Sequence, residues 1–231
     1  MEPPRSGAFV EVTGGHANER TAASPPLTGG APIGMEVPGG ARAPFGARRR
    51  GRYNRPMARL GLFGIGNVLM GDDALGPYAV KLIEAGYELS PEVELRELGT
   101  PGADLSILLD GFEAVVVVDT VKLPGAPGEI RVLDKAALLA KRPLLPASPH
   151  EPGLREALFA LEFHGGAPRE VRLVGVIPGP VELEVGLSPA VQAALPAVVA
   201  AALAELAALG APARPRAAPT APDLWWERRA G

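Results

Sequence analysis

Cysteine is absent from all 231 residues. That excludes a disulfide framework, a thiol nucleophile, a thiolate zinc site and an iron–sulfur cluster. Any metal contact must come from His, Asp, Glu or backbone oxygen, and a cysteine-free chain fits a cytoplasmic protein. No apolar run approaches the roughly eighteen residues of a membrane span, so no membrane insertion is expected. A Gly-x-Ser-x-Gly elbow is missing, which argues against serine hydrolase chemistry. Gly64-Ile65-Gly66-Asn67-Val68-Leu69 lacks the third glycine of a dinucleotide fingerprint, and no Gly-Lys-Ser/Thr follows to make a phosphate loop.

Lysine is absent from residues 1–56, where 8 Arg face only 4 Glu among 10 Gly and 8 Pro. This segment carries about +4; the whole chain carries −3, which leaves about −7 on residues 57–231. An acidic body argues against a nucleic-acid partner. Residues 1–56 show no helical or alternating period and read as a disordered arm. Two explanations compete, a translation start at Met57 and a basic docking arm, and the first is favoured. Arg48-Arg49-Arg50 is not followed by the apolar region of an export signal.

From Leu60 onward strand and helix patterns alternate. Leu60–Ile65, Val93–Leu98, Ala114–Val118, Gly128–Leu133 and Glu170–Ile177 read as strands; Val115–Val118 is continuous and β-branched, the mark of a strand buried on both faces. Leu75–Tyr87, Ala103–Leu109 and Leu154–Phe163 read as helices. A last helix starts at Ser188 as N-cap with Pro189 behind it and ends before Gly210, with a kink expected at Pro196. The expected fold is α/β: three layers, a twisted, mostly parallel sheet with helices on both faces. Residues 57–210 form the domain, and 211–231 read as a flexible tail apart from docking of Trp225-Trp226.

Acids stand where strands end. Asp72-Asp73 lies between the first strand and its helix, and Asp119 closes Val115–Val118. In an open parallel sheet the carboxyl ends of the strands form the ligand crevice. The bland role for Asp72 or Asp73 is capping the helix that follows; for Asp119 it is a local turn bond. His150 sits in the Pro-fixed loop Ser148-Pro149-His150-Glu151-Pro152, again feeding a helix, whereas His16 and His164 have no such setting. Two carboxylates and one imidazole make an open set for a borderline divalent ion such as nickel or zinc, although their spacing matches no local metal motif.

At these positions the chain resembles the hydrogenase maturation proteases, which trim the C-terminal extension of the nickel–iron hydrogenase large subunit. The resemblance runs from about Leu60 to Gly210. It is carried by Gly64-x-Gly66-Asn67-x-Leu69-x-x-Asp72-Asp73-x-x-Gly76, Gly99-Thr100-Pro101-Gly102, Val118-Asp119-Thr120, Pro127-Gly128-Glu129, Ser148-Pro149-His150, Gly175-Val176-Ile177-Pro178 and Gly186-Leu187-Ser188-Pro189. Glu97-Leu98 before Gly99 departs slightly from the acid-Gly pair often found there.

The resemblance implies an endopeptidase of the aspartic-type group that acts on the large-subunit precursor after nickel insertion. Asp73, Asp119 and His150 would be the catalytic and metal-contacting set, and the nickel would be borne by the substrate. Cleavage has two routes: metal polarisation of the scissile carbonyl, or Asp73 and Asp119 acting as an aspartic pair. The Gly99–Gly102 loop reads first as a plain turn and second as a source of backbone donors. A monomer is expected. The alternative from another class is a non-enzymatic nickel-sensing or chaperone protein using the same ligands.

Overall fold

The computed structural model describes residues 59–140 and 153–228. The arm 1–56, Met57, His16 and the His150 loop lie outside the described residues.

β1 (Leu60–Ile65) is buried along its whole length. After a 3-10 turn (Gly71–Ala74) comes α1 (Leu75–Gly86), which tolerates Pro77 because the first turn of a helix needs no amide donor there. β2 (Tyr87–Glu88) is a two-residue strand, and β3 (Val93–Gly99), α2 (Leu105–Leu109) and β4 (Ala114–Thr120) follow. β5 (Ile130–Asp134) leads into α3 (Lys135–Leu139), a short helix that the sequence reading does not include; Asp134 caps it by accepting from the Ala137 amide at 2.7 Å. α4 (Leu154–His164), β6 (Glu170–Val176), α5 (Pro189–Ala208) and the two-residue β7 (Arg214–Pro215) complete the order.

The main sheet runs β3-β1-β4-β6-β5. The first four strands are parallel, and β5 is antiparallel to β6. The expected three-layer α/β architecture is therefore present, with the antiparallel edge as its one deviation from uniform direction. Side chains alternate across a strand. On one face Leu62, Val116, Val118 and Val174 pack with Leu75, Ile83, Val191 and Val198 of α1 and α5. On the other, Phe63, Val115, Val117 and Leu173 pack with Leu109, Leu138 and Leu158 of α2, α3 and α4. Each fully buried Val, Leu or Phe side chain is worth about 1.5–3 kcal/mol relative to exposure.

Two glycines set how closely α1 approaches the sheet. A Cβ on Gly64 would lie 2.2 Å from the Gly76 carbonyl oxygen, and one on Gly76 would lie 2.2 Å from the Ile65 carbonyl oxygen. Neither position admits a side chain without moving the helix, so this pair fixes where the residues just before α1 come to rest.

α5 corrects the expectation about apolar runs. With twenty residues it is long and apolar enough to cross a membrane by length and composition. Gln192 and Pro196 interrupt its sequence, and alanines supply much of its apolar character, so a scan for an unbroken run misses it. Val191, Leu195, Val198, Val199, Ala202 and Leu206 are buried against the domain core. The helix continues through Pro196 and closes on Gly210, where the Ala211 and Gly210 amides return to the Leu206 and Ala207 carbonyls at 3.1 and 2.9 Å.

The segment after Gly210 is not the loose tail expected from its Pro and Ala content. β7 pairs antiparallel with β2, and the Arg216 and Thr220 amides donate to the Gly86 and Ala85 carbonyls at 2.8 and 3.1 Å. Trp226 is buried, edge-on to Tyr78 with ring centroids 5.2 Å apart. Backbone pairing, which composition does not reveal, holds the chain along the end of α1.

Candidate active site

β1 has β3 on one side and β4 on the other, and the chain leaves β1 toward β3 through α1. The carboxyl ends of β1 and β4 therefore border a crevice of the kind that binds ligands in open α/β sheets. Asp73 follows β1, and Asp119 is the penultimate residue of β4.

The two adjacent acids 72 and 73 have different jobs. Asp72 is 0% exposed, and three donors converge on it: the Gly179 amide on Oδ2 at 2.6 Å, the Ser188 amide on Oδ1 at 2.6 Å and the Ser188 hydroxyl on Oδ2 at 2.8 Å. It ties the start of α1 to the loop after β6 and to the N-terminus of α5. Asp73 is 6% exposed and accepts from the Asn67 amide at 2.8 Å (Oδ2) and from the Thr120 hydroxyl at 3.4 Å (Oδ1). Neither acid caps α1, whose N-cap is Ala74 with no side-chain bond. The capping role expected for one of the pair is thus replaced by long-range contacts, because a 3-10 turn intervenes between the acids and the helix.

Asp119 is half-buried and accepts from the Thr120 amide at 2.7 Å, a local bond to the very next residue rather than the Asx-type bond two residues on. Alternation along β4 places Asp119 with Val115 and Val117, on the α2–α4 face, and Thr120 with Val116 and Val118, on the α1–α5 face. Thr120 therefore touches both acids, one through its hydroxyl and the other through its amide. Sequence reasoning quotes Thr120 within a motif but gives it no role; only its alternation relative to Asp119 hinted at one.

His150, the third expected member, lies outside the described residues. Among the described residues no group of three His, Asp or Glu side chains could hold a metal ion. His164 is exposed at the end of α4, in edge contact with the Phe163 ring, in keeping with its reading as an unremarkable histidine.

The surrounding turns are rigidly placed. The Gly66 amide donates to the Gly99 carbonyl at 2.9 Å and locks the exits of β1 and β3 together. Gly66 has φ of +140°, and a Cβ there would fall 1.7 Å from the Asp73 carbonyl oxygen, so only glycine lets the backbone before Asp73 close in this way. The Gly128 amide donates to Ile177 at 2.8 Å, and the Ile177 amide to Glu129 at 3.0 Å, which holds the β5 entrance against the β6 exit. The Glu129 carboxyl is held below its usual range, first by the Ala126 amide and then by the Arg131 guanidinium.

A cleft of about 400 Å³ opens between the exits of β1 and β3, lined by Gly66, Asn67, Pro77 and Gly99 among others. A larger cavity of about 780 Å³ sits at the opposite, amino end of the parallel strands, beside Leu60, Glu113 and Arg169, and is remote from both acids.

The hydrogenase maturation protease family model matches residues 77–205. The hydrogenase 2 maturation protease of Escherichia coli (strain K12) is 35% identical over 164 residues, covering 69% of this chain and 98% of that protein. The hydrogenase expression/formation protein HupD of Rhizobium leguminosarum bv. viciae is 30% identical over 172 residues, covering 73% of this chain and 85% of that protein. The solved hydrogenase maturating endopeptidase HybD from E. coli superposes with a TM-score of 0.61 at 34% identity, over 68% of this chain and 98% of that one.

Proposed function

Because the chain belongs to the hydrogenase maturation protease family of endopeptidases, we propose that it removes the C-terminal extension of a nickel–iron hydrogenase large-subunit precursor once nickel has been inserted. The observation that carries this reading is the placing of Asp73 and Asp119 at the carboxyl ends of adjacent parallel strands, both bonded to Thr120.

Asp73, Asp119 and His150 are the residues proposed to meet the substrate's nickel and the scissile bond. His150 lies four residues ahead of α4, whose packing face is that of Asp119. Carboxylate and imidazole are hard-to-borderline ligands, suited to touching a nickel still held by substrate thiolates. A chain without cysteine offers no thiolate to compete for that nickel. The nickel arrives as part of the substrate, so contact with it verifies that the precursor is loaded. The same contact polarises the carbonyl to be attacked by water.

Within this scheme Asp73 has its two oxygens directed by the Asn67 amide and the Thr120 hydroxyl. The cytoplasm is the proposed site of action, in keeping with the missing cysteine. The experiment is incubation of the purified protein with nickel-loaded and nickel-free precursor, followed by the intact mass of the large subunit. Loss of the extension from the loaded form supports the reading; an uncut loaded precursor favours a binding protein instead.

A further inference from the structure

Trp225 lies beyond residues 77–205, the stretch that matches the family model. It is 54% exposed, and an indole pairs a large apolar face with one polar N–H, a combination enriched at interfaces. Its placement is not loose. The indole sits edge-on to Trp226 at 5.6 Å, Trp226 is buried edge-on to Tyr78 at 5.2 Å, and the Tyr78 hydroxyl donates to the Glu227 carboxylate. A buried aromatic anchor and a hydrogen bond thus present an exposed indole on a fixed platform.

The indole forms one wall of the 400 Å³ cleft. Facing residues include Asn67, Val68, Pro77, Glu97 and Leu98. Asn67 is shared with the reactive centre, since its amide is bonded to Asp73 at 2.8 Å. The cleft therefore adjoins the turn that holds Asp73. Val68, Pro77, Leu98 and Trp225 supply the apolar part of a lining that Asn67, Glu97 and Thr100 make polar in nearly equal measure. The acid Glu97 has Lys81 at 3.8 Å, but that lysine also pairs with Glu84 at 3.1 Å, so Glu97 is only partly compensated.

We infer that this cleft is a substrate subsite in which Trp225 packs against an apolar side chain of the precursor's extended segment next to the scissile bond. The C-terminal segment of this chain thereby completes the groove that the sheet exits begin. The subsite presupposes the cleavage reading given above. A preorganised aromatic surface binds at little ordering cost, so its contribution falls on substrate affinity rather than on the chemical step.

The test is steady-state cleavage of nickel-loaded precursor by the full-length wild type, Trp225→Ala and Trp225→Phe, with the thermal midpoint of each protein measured alongside. Trp225→Ala is expected to raise KM about ten-fold with kcat within about twofold, and Trp225→Phe, which keeps a ring, to recover most of the loss. Unchanged KM in Trp225→Ala overturns the subsite and leaves the cleavage reading intact. A KM rise matched in both variants by a large fall in thermal midpoint also overturns it, by assigning Trp225 to stability. A wild type that never cuts overturns the cleavage reading and the subsite with it.

Discussion

Asp72 and Ser188 stand 116 residues apart in the chain, yet the serine donates both its amide (2.6 Å) and its hydroxyl (2.8 Å) to the one carboxylate. The Gly179 amide joins them at 2.6 Å. This buried junction holds the turn that carries Asp73 against the N-terminus of α5. Asp72→Ala leaves three donors without their acceptor and is expected to cost roughly 3 kcal/mol of unfolding free energy, since bonds to a charged group are worth about 1.5–3 kcal/mol each but are not additive. Asp72→Asn keeps one acceptor oxygen but turns an amide donor toward other donors, with an expected loss of about 2 kcal/mol. Urea unfolding of both variants measures these losses.

Thr120 is a positioning residue: its hydroxyl reaches Asp73 at 3.4 Å, while its amide holds Asp119 at 2.7 Å. Thr120→Val removes only the hydroxyl contact and keeps the shape. Cutting is expected to slow about ten-fold in kcat, with Thr120→Ser restoring most of it and thermal midpoints little changed. A merely structural hydroxyl would change stability without this kinetic rescue.

The two cleavage routes separate at His150. If the substrate's nickel polarises the scissile carbonyl, His150→Ala abolishes cutting. An aspartic pair formed by Asp73 and Asp119 would still cut slowly in that variant. Both routes predict that Asp73→Asn and Asp119→Asn are inactive. Single-turnover cleavage by His150→Ala distinguishes them, with the two Asn variants as inactive controls: the nickel-assisted route predicts no residual cutting by His150→Ala.

The docked C-terminal segment makes an alkaline prediction. Burial, then the Glu227 carboxylate, pushes the Tyr78 hydroxyl from 10.0 up to about 12. Between these values the folded protein keeps a proton that the unfolded chain releases, so stability falls as pH rises. The contribution is complete below pH 10 and is lost through about pH 12. Denaturant titrations from pH 9 upward are expected to show a shallower decline for Tyr78→Phe, which has no hydroxyl to ionise.

Local signals were well read from the sequence, and non-local ones were not. Leu60–Ile65 and the buried Val115–Val118 run are strands in the structure because apolar, β-branched runs of that length speak for themselves. The Ser188-Pro189 start of α5 was equally visible, since a cap and a first-turn proline are adjacent in sequence. The antiparallel direction of β5 was not, because strand direction depends on how connections are routed. Nor was the backbone pairing of the tail, whose β2–β7 ladder joins distant segments with little pattern of their own, although the docking of Trp226 was. At the site, the acids at the strand ends were legible, but the division of labour between neighbours Asp72 and Asp73 was not. Their partners are Gly179 and Ser188 in one case and Asn67 and Thr120 in the other, and three of those four lie far along the chain.

The central claim is that the paired strand ends of β1 and β4 form a protease site that acts on a nickel-bearing precursor. Its most direct measurement is the intact mass of the hydrogenase large subunit after incubation of nickel-loaded and nickel-free precursor with the purified protein. The account predicts loss of the C-terminal extension from the loaded precursor alone. Equal trimming of both forms, or trimming of neither, would contradict it.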